Sequence, residues 1–247
     1  MTNQEVYLSV IIPTYNEENR IGKTIDIVVS FLQKQAYSFE IIVVSGHSTD
    51  RTADIVKEKM KSIANLTIIE QLKKTGKGSA VAEGMLAAHG RIRLFTDADN
   101  STDISHFEKM RTFFDQGFET VIASRDPKDA PGATQALSQT RIKRLMGNLG
   151  NLFIQLVAVR GFWDTQCGFK AFRDFAAEKI FSRQKIPGWG FDIEVLALAR
   201  KSGYRIGIIP AYWINDPESR VRFSTYFQVL WETVKIRLNL QLGKYQI

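Results

Sequence analysis

Asp97 and Asp99 stand one residue apart, directly after Ile92, Leu94 and Phe95, which read as a short buried strand. Carboxylates at the carboxyl end of such a strand lie where open α/β sheets bind their ligands. Ala98 between them is small, and Asn100-Ser101 supplies turn chemistry. A hard divalent cation, Mg²⁺ or Mn²⁺, takes one or two carboxylates and fills its other positions with water and phosphate oxygens. The pair therefore suits a metal and diphosphate clamp. It also suits a strand-end acid pair capping a helix from about Asp103 to Phe114.

Other residues could join such chemistry. Gly76-Lys77-Gly78 precedes a helix, where two glycines let the backbone approach phosphate and the lysine adds a point charge. The Walker spacing is missing, and a solvated basic turn has the same composition. Pro13-Thr14-Tyr15-Asn16-Glu17 follows a strand, where a nucleotide base or ribose would lie; it is equally ordinary turn chemistry. Arg125, Arg220 and Arg222 sit in loops able to fold over a diphosphate, which the planar guanidinium suits, or are surface arginines. Asp192 and Glu194 open a helix after Gly188-Trp189-Gly190. They fit an acceptor-side role or the helix dipole, and at i and i+2 they do not share a face. His47, His89 and His106 are scattered and Cys167 is alone, so neither zinc nor an internal disulfide is expected.

The elements that must position these residues alternate. Leu8 to Ile12, Phe39 to Val44, Leu66 to Glu70, the strand before Asp97, and Thr120 to Ser124 read as strands. Helices are expected over Arg20 to Gln35, from about Asp50 to Met60, over Ala80 to His89 with Gly90 as a left-handed stop, and after Asp99. This βαβ alternation implies an α/β fold, a doubly wound, mostly parallel sheet of Rossmann type. Arg125 to Gln139 and Pro210 to Val221 read as loops; Arg141 to Arg160 and Phe191 to Lys201 as helices; Arg205 to Ile209 as a strand; Thr225 to Leu242 as amphipathic.

The 247 residues suffice for one domain with a sizeable core. A formal charge of +7 suits anionic partners: phosphate-bearing substrates, an anionic membrane surface or nucleic acid. No nucleic-acid motif is present. Met1 to Tyr7 lacks the form of a signal peptide, and no apolar run approaches ~20 residues, so no membrane span is expected. Lying on a membrane is still open to the helices at Arg141 to Arg160 and Thr225 to Leu242.

As an ordered set the motifs resemble glycosyltransferase family two, with its GT-A fold. The matching series is Leu8 to Glu17, Glu40 to Val44, Ser48 to Thr52, Gly76 to Ala80 and Thr96 to Asp99. Within it, Ser124-Arg125, Asp164 to Phe172, Gly188 to Leu196, Trp213 to Asn215 and Ser219 to Val221 are similar to the dolichyl-phosphate or polyprenyl-phosphate β-glucosyl- and mannosyltransferases. The resemblance spans roughly residues 7 to 240.

That resemblance implies an inverting, metal-dependent transfer of a hexose, glucose or mannose, from UDP or GDP to a polyprenyl or dolichyl phosphate. Pro13, Tyr15 and Glu17 would line the nucleotide pocket, and Lys77 would approach the phosphates. Asp97 and Asp99 would bind Mg²⁺ or Mn²⁺, with Asp99 the stronger direct ligand. Arg125 and Arg220 would hold phosphates, and Asp164 and Asp192 would face sugar and acceptor. A phosphate acceptor needs little help from a base; a hydroxyl acceptor would need Asp164 or Asp192. The family's usual Val-Asp-Asp-Gly-Ser-x-Asp is replaced by Val44-Ser45-Gly46-His47-Ser48-Thr49-Asp50, so Ser45 offers a hydroxyl where a carboxylate is expected. UDP against GDP stays open. So do a soluble transferase acting on a hydroxyl and a non-catalytic nucleotide-sugar binder.

The expected layout is a GT-A domain over 1–220, its donor half 1–125 and acceptor half 126–220, followed by an amphipathic segment 221–247. The expected location is cytoplasmic, peripheral on the cytoplasmic membrane face, with homo-oligomerisation left open.

Overall fold

The computed structural model describes residues 5–73, 75–135, 141–213 and 223–247. Arg220 and Arg222 lie outside the described residues. In chain order the elements are β1 (Leu8–Thr14), α1 (Ile21–Leu32), β2 (Phe39–Ser45), α2 (Thr52–Met60), β3 (Leu66–Glu70) and α3 (Lys77–Ala87). Then come β4 (Ile92–Thr96), α4 (His106–Asp115), β5 (Thr120–Ser124), β6 (Thr134–Gln135), α5 (Arg141–Val157) and β7 (Phe169–Arg173). Last are α6 (Asp174–Phe181), α7 (Phe191–Lys201), β8 (Ile206–Pro210), β9 (Tyr212–Trp213) and α8 (Phe223–Gln241).

Among the described residues, the main sheet has seven strands in the order β3-β2-β1-β4-β7-β5-β8. β1 is buried along its whole length, as a strand covered on both faces must be. Its alternate residues divide two cores. Leu8, Val10 and Ile12 pack with Ile21, Ile25 and Val28 of α1 and Phe107 of α4, while Ile11 packs with Val81 and Met85 of α3 and Phe191 of α7. β1 runs on through Pro13 to Thr14, past Ile11 where pairing with β4 ends, with β2 alone continuing alongside.

The sheet departs from the expected parallel order at one place. β7 lies between β4 and β5 and is antiparallel to both. Its sequence, Phe169-Lys170-Ala171-Phe172-Arg173, carries a lysine in mid-strand, which hides it from a hydrophobic pattern. Lys170 is fully buried, and its ammonium pairs with Asp192 on α7. α6 also went unforeseen. α3 begins at Lys77 rather than Ala80, and it stops without a left-handed glycine. Ala88 is extended, and Gly90 is needed instead because a Cβ there would stand 2.6 Å from the Ser9 backbone nitrogen. α5 ends at Val157, short of Arg160.

α8 packs against α5 and α7. Thr233 and Ile236 are fully buried, and Tyr245 beyond the helix donates its hydroxyl to Glu194 Oε1 at 2.7 Å. The 223–247 segment is thus part of the core it follows.

Among the described residues, three strands of the sheet are followed by a non-glycine residue in the left-handed region: Asn16 after β1 (φ 56°), His47 after β2 (φ 60°) and Asn100 after β4 (φ 52°). Asparagine tolerates that region and histidine does so less readily. A left-handed L-residue costs about 1–2 kcal/mol, and glycine gives back part of that in chain entropy. Because the His47 side chain is exposed, His47→Gly is expected to raise the free energy of unfolding by about 1 kcal/mol, read by urea denaturation. An unchanged or lower midpoint would contradict the strain.

Candidate active site

β1 and β2 end side by side, Thr14 opposite Ser45. The loops beyond them are laced together by their own backbone donors. Asn16 N donates to Ser48 Oγ (3.0 Å), Glu17 N to Thr52 Oγ1 (2.7 Å), Glu18 N to Asp50 Oδ2 (3.1 Å) and Thr49 N to Asn16 Oδ1 (2.7 Å). Burial acts to raise the pKa of Asp50, but bonds from Thr52 and Glu18 outweigh it and hold the carboxyl below its ordinary value. Ser45 is buried and donates to Ser48 Oγ (3.0 Å). Glu17 accepts from Arg20 Nε (2.7 Å). Pro13 is buried and Tyr15 half-buried. The residues expected to line a nucleotide pocket are therefore gathered at two adjacent strand ends.

The acid pair follows β4 as expected. Thr24 Oγ1, from α1, donates to the Ala98 carbonyl at 2.6 Å and fixes the peptide between the two acids. Lys77, in the first turn of α3, places its ammonium 2.6 Å from Asp97 Oδ1. Burial acts to lower the pKa of Lys77, but the charges of Asp97, Asp192 and Asp99 outweigh it and hold the ammonium above its ordinary value. The same ammonium lies 5.3 Å from the Trp189 ring centroid and 6.0 Å from that of Phe191. Asp99 Oδ1 accepts from Ser101 N at 2.9 Å. Burial first, and then the like charge of Asp97, push the Asp99 carboxyl above its ordinary value.

Two glycines have a different use from the expected one. A Cβ at Gly76 would stand 2.5 Å from the Pro187 carbonyl oxygen, and one at Gly78 would stand 2.6 Å from Phe191 Cβ. The room they leave is filled by the chain's own 186–191 turn. Gly168 is the third close approach. Thr96 pairs with Phe169 across β4 and β7, so Gly168 faces Asp97, and a Cβ there would lie 2.0 Å from Asp97 Oδ2. Thr24 carries no distinguishing signal in the sequence. Thr24 reads as part of a helix face; Gly168 carries a signal only through its place in the Asp164 to Phe172 stretch.

The remaining acids are engaged. Asp164 Oδ2 accepts from Arg125 N (2.9 Å) and Arg125 Nε (2.7 Å), and its Oδ1 accepts from Arg125 Nη2 (2.8 Å) and Gln166 N (3.2 Å). Burial acts to raise the pKa of Asp164, but Arg125 outweighs it and holds the carboxyl below its ordinary value. Asp129, unforeseen, braces this pair by accepting from Trp163 N (2.7 Å), Asp164 N (2.8 Å) and Ser124 Oγ (2.8 Å). Asp192 is 2% exposed and pairs with Lys170; burial, only partly offset by Lys170 and Lys77, raises its pKa. Glu194 turns away and accepts from Lys185 N and Ile186 N, both at 2.9 Å.

Among the described residues, no group of three or more His, Cys, Asp or Glu side chains could hold a metal ion. Two carboxylates are nevertheless a fitting donor set for Mg²⁺ or Mn²⁺, which keep water and substrate phosphate in their other positions. Asp99 fits best on geometry: Asp97 is already paired with Lys77 at 2.6 Å, whereas Asp99 is held by the Ser101 amide.

Comparison with known proteins bears on the family and the fold. The pattern described as Glycosyl transferase family 2 matches residues 9–181. A dolichyl-phosphate beta-glucosyltransferase of Saccharomyces cerevisiae is 33% identical over 99% of this chain and 78% of its own. The structure of glucosyl-3-phosphoglycerate synthase from Mycobacterium tuberculosis with UDP superposes with a TM-score of 0.66 at 18% identity, over 98% of this chain and 81% of that one. A mannosyltransferase from Pyrobaculum calidifontis with GDP-Man and Mn²⁺ does so with a TM-score of 0.57 at 18% identity, over 99% and 74%. These two likenesses concern the fold, which is thus that of known glycosyltransferases.

A carboxyl whose folded pKa is raised binds its proton more tightly folded than unfolded, so its contribution to stability falls as pH rises through the folded value. Without divalent cation, Asp99→Asn is therefore expected to unfold at a higher temperature than the wild type at pH 7. The gap should close as pH falls and Asp99 protonates. Mn²⁺ should raise the wild-type melting temperature and leave Asp99→Asn unmoved. An equal Mn²⁺ response in both proteins would remove Asp99 from the cation site.

Proposed function

Because the chain belongs to glycosyl transferase family 2, we propose that it transfers a hexose, with inversion, from UDP or GDP to a polyprenyl phosphate at a membrane surface. The donor would lie over the ends of β1 and β2, with its diphosphate at Asp97 and Asp99. A divalent cation held by these two acids would supply electrostatic stabilisation of the departing diphosphate. Lys77 keeps Asp97 in place and adds preorganised positive charge beside the leaving group. Pro13, Tyr15, Glu17 and Ser45 would surround the nucleoside, Ser45 with a hydroxyl in place of a carboxylate. Arg125 and Arg220 are proposed for phosphate contact, Arg125 from its bidentate seat on Asp164 with the Trp213 ring 5.3 Å away.

The acceptor assignment is carried by one observation: Asp164 and Asp192, the acids considered as bases, are each locked in a buried ion pair. A hydroxyl acceptor needs a carboxylate free to take its proton, whereas a phosphate is already an anion at neutral pH. Asp164 and Asp192 are therefore proposed as positioning residues, Asp164 for Arg125 and Asp192 for Lys170. The name of the yeast relative supports a dolichyl-type phosphate. No helix among the described residues is long and apolar enough to cross a membrane. Contact with a lipid surface is instead proposed for α5 and α8, which expose Leu149, Leu152 and Leu156, and Phe227, Trp231 and Leu238. The cytoplasmic face is part of this proposal.

The test is release of nucleoside diphosphate from UDP- and GDP-hexoses with Mn²⁺, with and without polyprenyl phosphate. Release is expected to require both the cation and the lipid phosphate; release with hydroxyl acceptors alone would overturn the acceptor assignment. Asp99→Ala should lower kcat/KM by about 10²–10³-fold while the protein stays folded by circular dichroism. In a separate sedimentation assay, Phe227→Ser with Trp231→Ser should weaken binding to anionic vesicles. Unchanged co-sedimentation would remove α8 from the membrane contact.

A further inference from the structure

Glu232 is 7% exposed on α8, next to the outward-facing Trp231. Its Oε2 accepts from Gly190 N at 2.6 Å, and its Oε1 accepts from Gln228 Nε2 at 2.9 Å. The turn it meets is cut to receive it. A Cβ at Gly188 would stand 2.3 Å from Glu232 Oε1 and 2.4 Å from Gln228 Nε2, and one at Gly190 would stand 2.7 Å from Glu232 Cβ. A buried carboxylate on a helix otherwise recognised by apolar faces has a cost, and here it is directed at one backbone donor.

The other flank of the same turn is seated on the first turn of α3. Ser79 N donates to the Pro187 carbonyl at 3.2 Å, and Gln184 Nε2 donates to the Gly78 carbonyl at 2.8 Å. Between these flanks, Trp189 faces Lys77, whose ammonium reaches Asp97 at 2.6 Å. A continuous line of packed contacts thus runs from α8 through the 186–190 turn to the acid pair.

We propose that Glu232 is a positioning residue for the nucleotide-sugar donor: by fixing the 186–190 turn it holds Trp189 against Lys77 and Lys77 against Asp97, so the seat of α8 sets the charge at the donor site. The kinetic consequence rests on the function proposed above; the geometric one does not. Because α8 also carries the exposed Phe227 and Trp231, anything that moves this helix on a lipid surface acts on the donor end of the reaction, and donor binding acts back on the helix.

The experiment is lysine acylation of the ligand-free, full-length protein, followed site by site by mass spectrometry. In the wild type, Lys77 should react slowly beside Lys61, whose side chain is 73% exposed. Glu232→Ala should raise Lys77 labelling severalfold and leave Lys61 unchanged. Glu232→Gln should stay near the wild type, because an amide oxygen still accepts from Gly190 N. Gly188→Ala should reproduce the effect, since its Cβ meets the flexible ends of Glu232 and Gln228 rather than backbone; it carries the test should Glu232→Ala not fold. A merely structural role would lower Tm without changing the ratio of Lys77 to Lys61 labelling, and an unchanged ratio in the folded variants overturns the proposal. In the turnover assay, Glu232→Ala should raise the donor KM about tenfold with kcat changed much less, the pattern of lost ground-state binding; an active variant with wild-type KM overturns it too. A wild type that releases no nucleoside diphosphate sinks the transferase reading and leaves the labelling ratio to decide the role of Glu232.

Discussion

Two carboxylates separated by one residue repel each other, and nothing in a strand end relieves that by itself. Unit charges 4 Å apart interact by about 4 kcal/mol at an effective dielectric of 20, a sizeable fraction of a domain's margin of about 5–15 kcal/mol. The chain resolves the conflict asymmetrically. Asp97 is given Lys77, while Asp99 is left with the Ser101 amide and a raised pKa. The asymmetry depends on room for the Asp97 carboxylate, which the missing side chain of Gly168 provides, and on the bond from Thr24 to the Ala98 carbonyl. It also depends on the docking of α3 against the 186–191 turn, which brings Lys77 into reach.

The part of the sheet around β5 and β7 is organised by a second set of charges that are satisfied internally. Arg125 with Asp164, and Lys170 with Asp192, are paired where the carboxylates are almost wholly buried. Such pairs add little net stability over a well-packed apolar alternative, yet losing one partner costs about 3–5 kcal/mol because the other is stranded. Their value here is positional. Asp164 sets the direction of the Arg125 guanidinium, and Lys170 joins β7 to the amino-terminal end of α7. Polar residues that the sequence offers as reagents are here held by partners from other elements.

Much of this was legible in the residues themselves. Apolar, β-branched runs located β1 to β5 and helical spacing located α1, because their side chains face one core or the other, while the turns and strands around them placed α2 to α4. The Asp97 and Asp99 pair was found where a strand had to end. β7 was not legible, because Lys170 breaks its apolar run and is made acceptable only by Asp192, a partner distant in sequence. The same limit applies to Thr24, Asp129 and Gly168, whose contributions exist only as contacts between elements. Gly76 and Gly78 read as glycines for a close approach to phosphate, and the structure packs the chain's own 186–191 turn against them. Composition cannot distinguish a phosphate from a neighbouring turn.

The antiparallel strand wedged between β4 and β5 also dictates an order of assembly. As the chain leaves the ribosome, β3, β2, β1 and β4 can pair among themselves, since all four precede residue 97. β5 follows soon after but has no partner until Phe169–Arg173 appears, because its neighbours are β7 and β8. Throughout that interval β4 offers a bare row of amides and carbonyls, the kind of edge that recruits foreign strands. Until its keystone strand emerges, the growing chain therefore carries an unfilled sheet edge, the feature that most exposes a chain to mispairing.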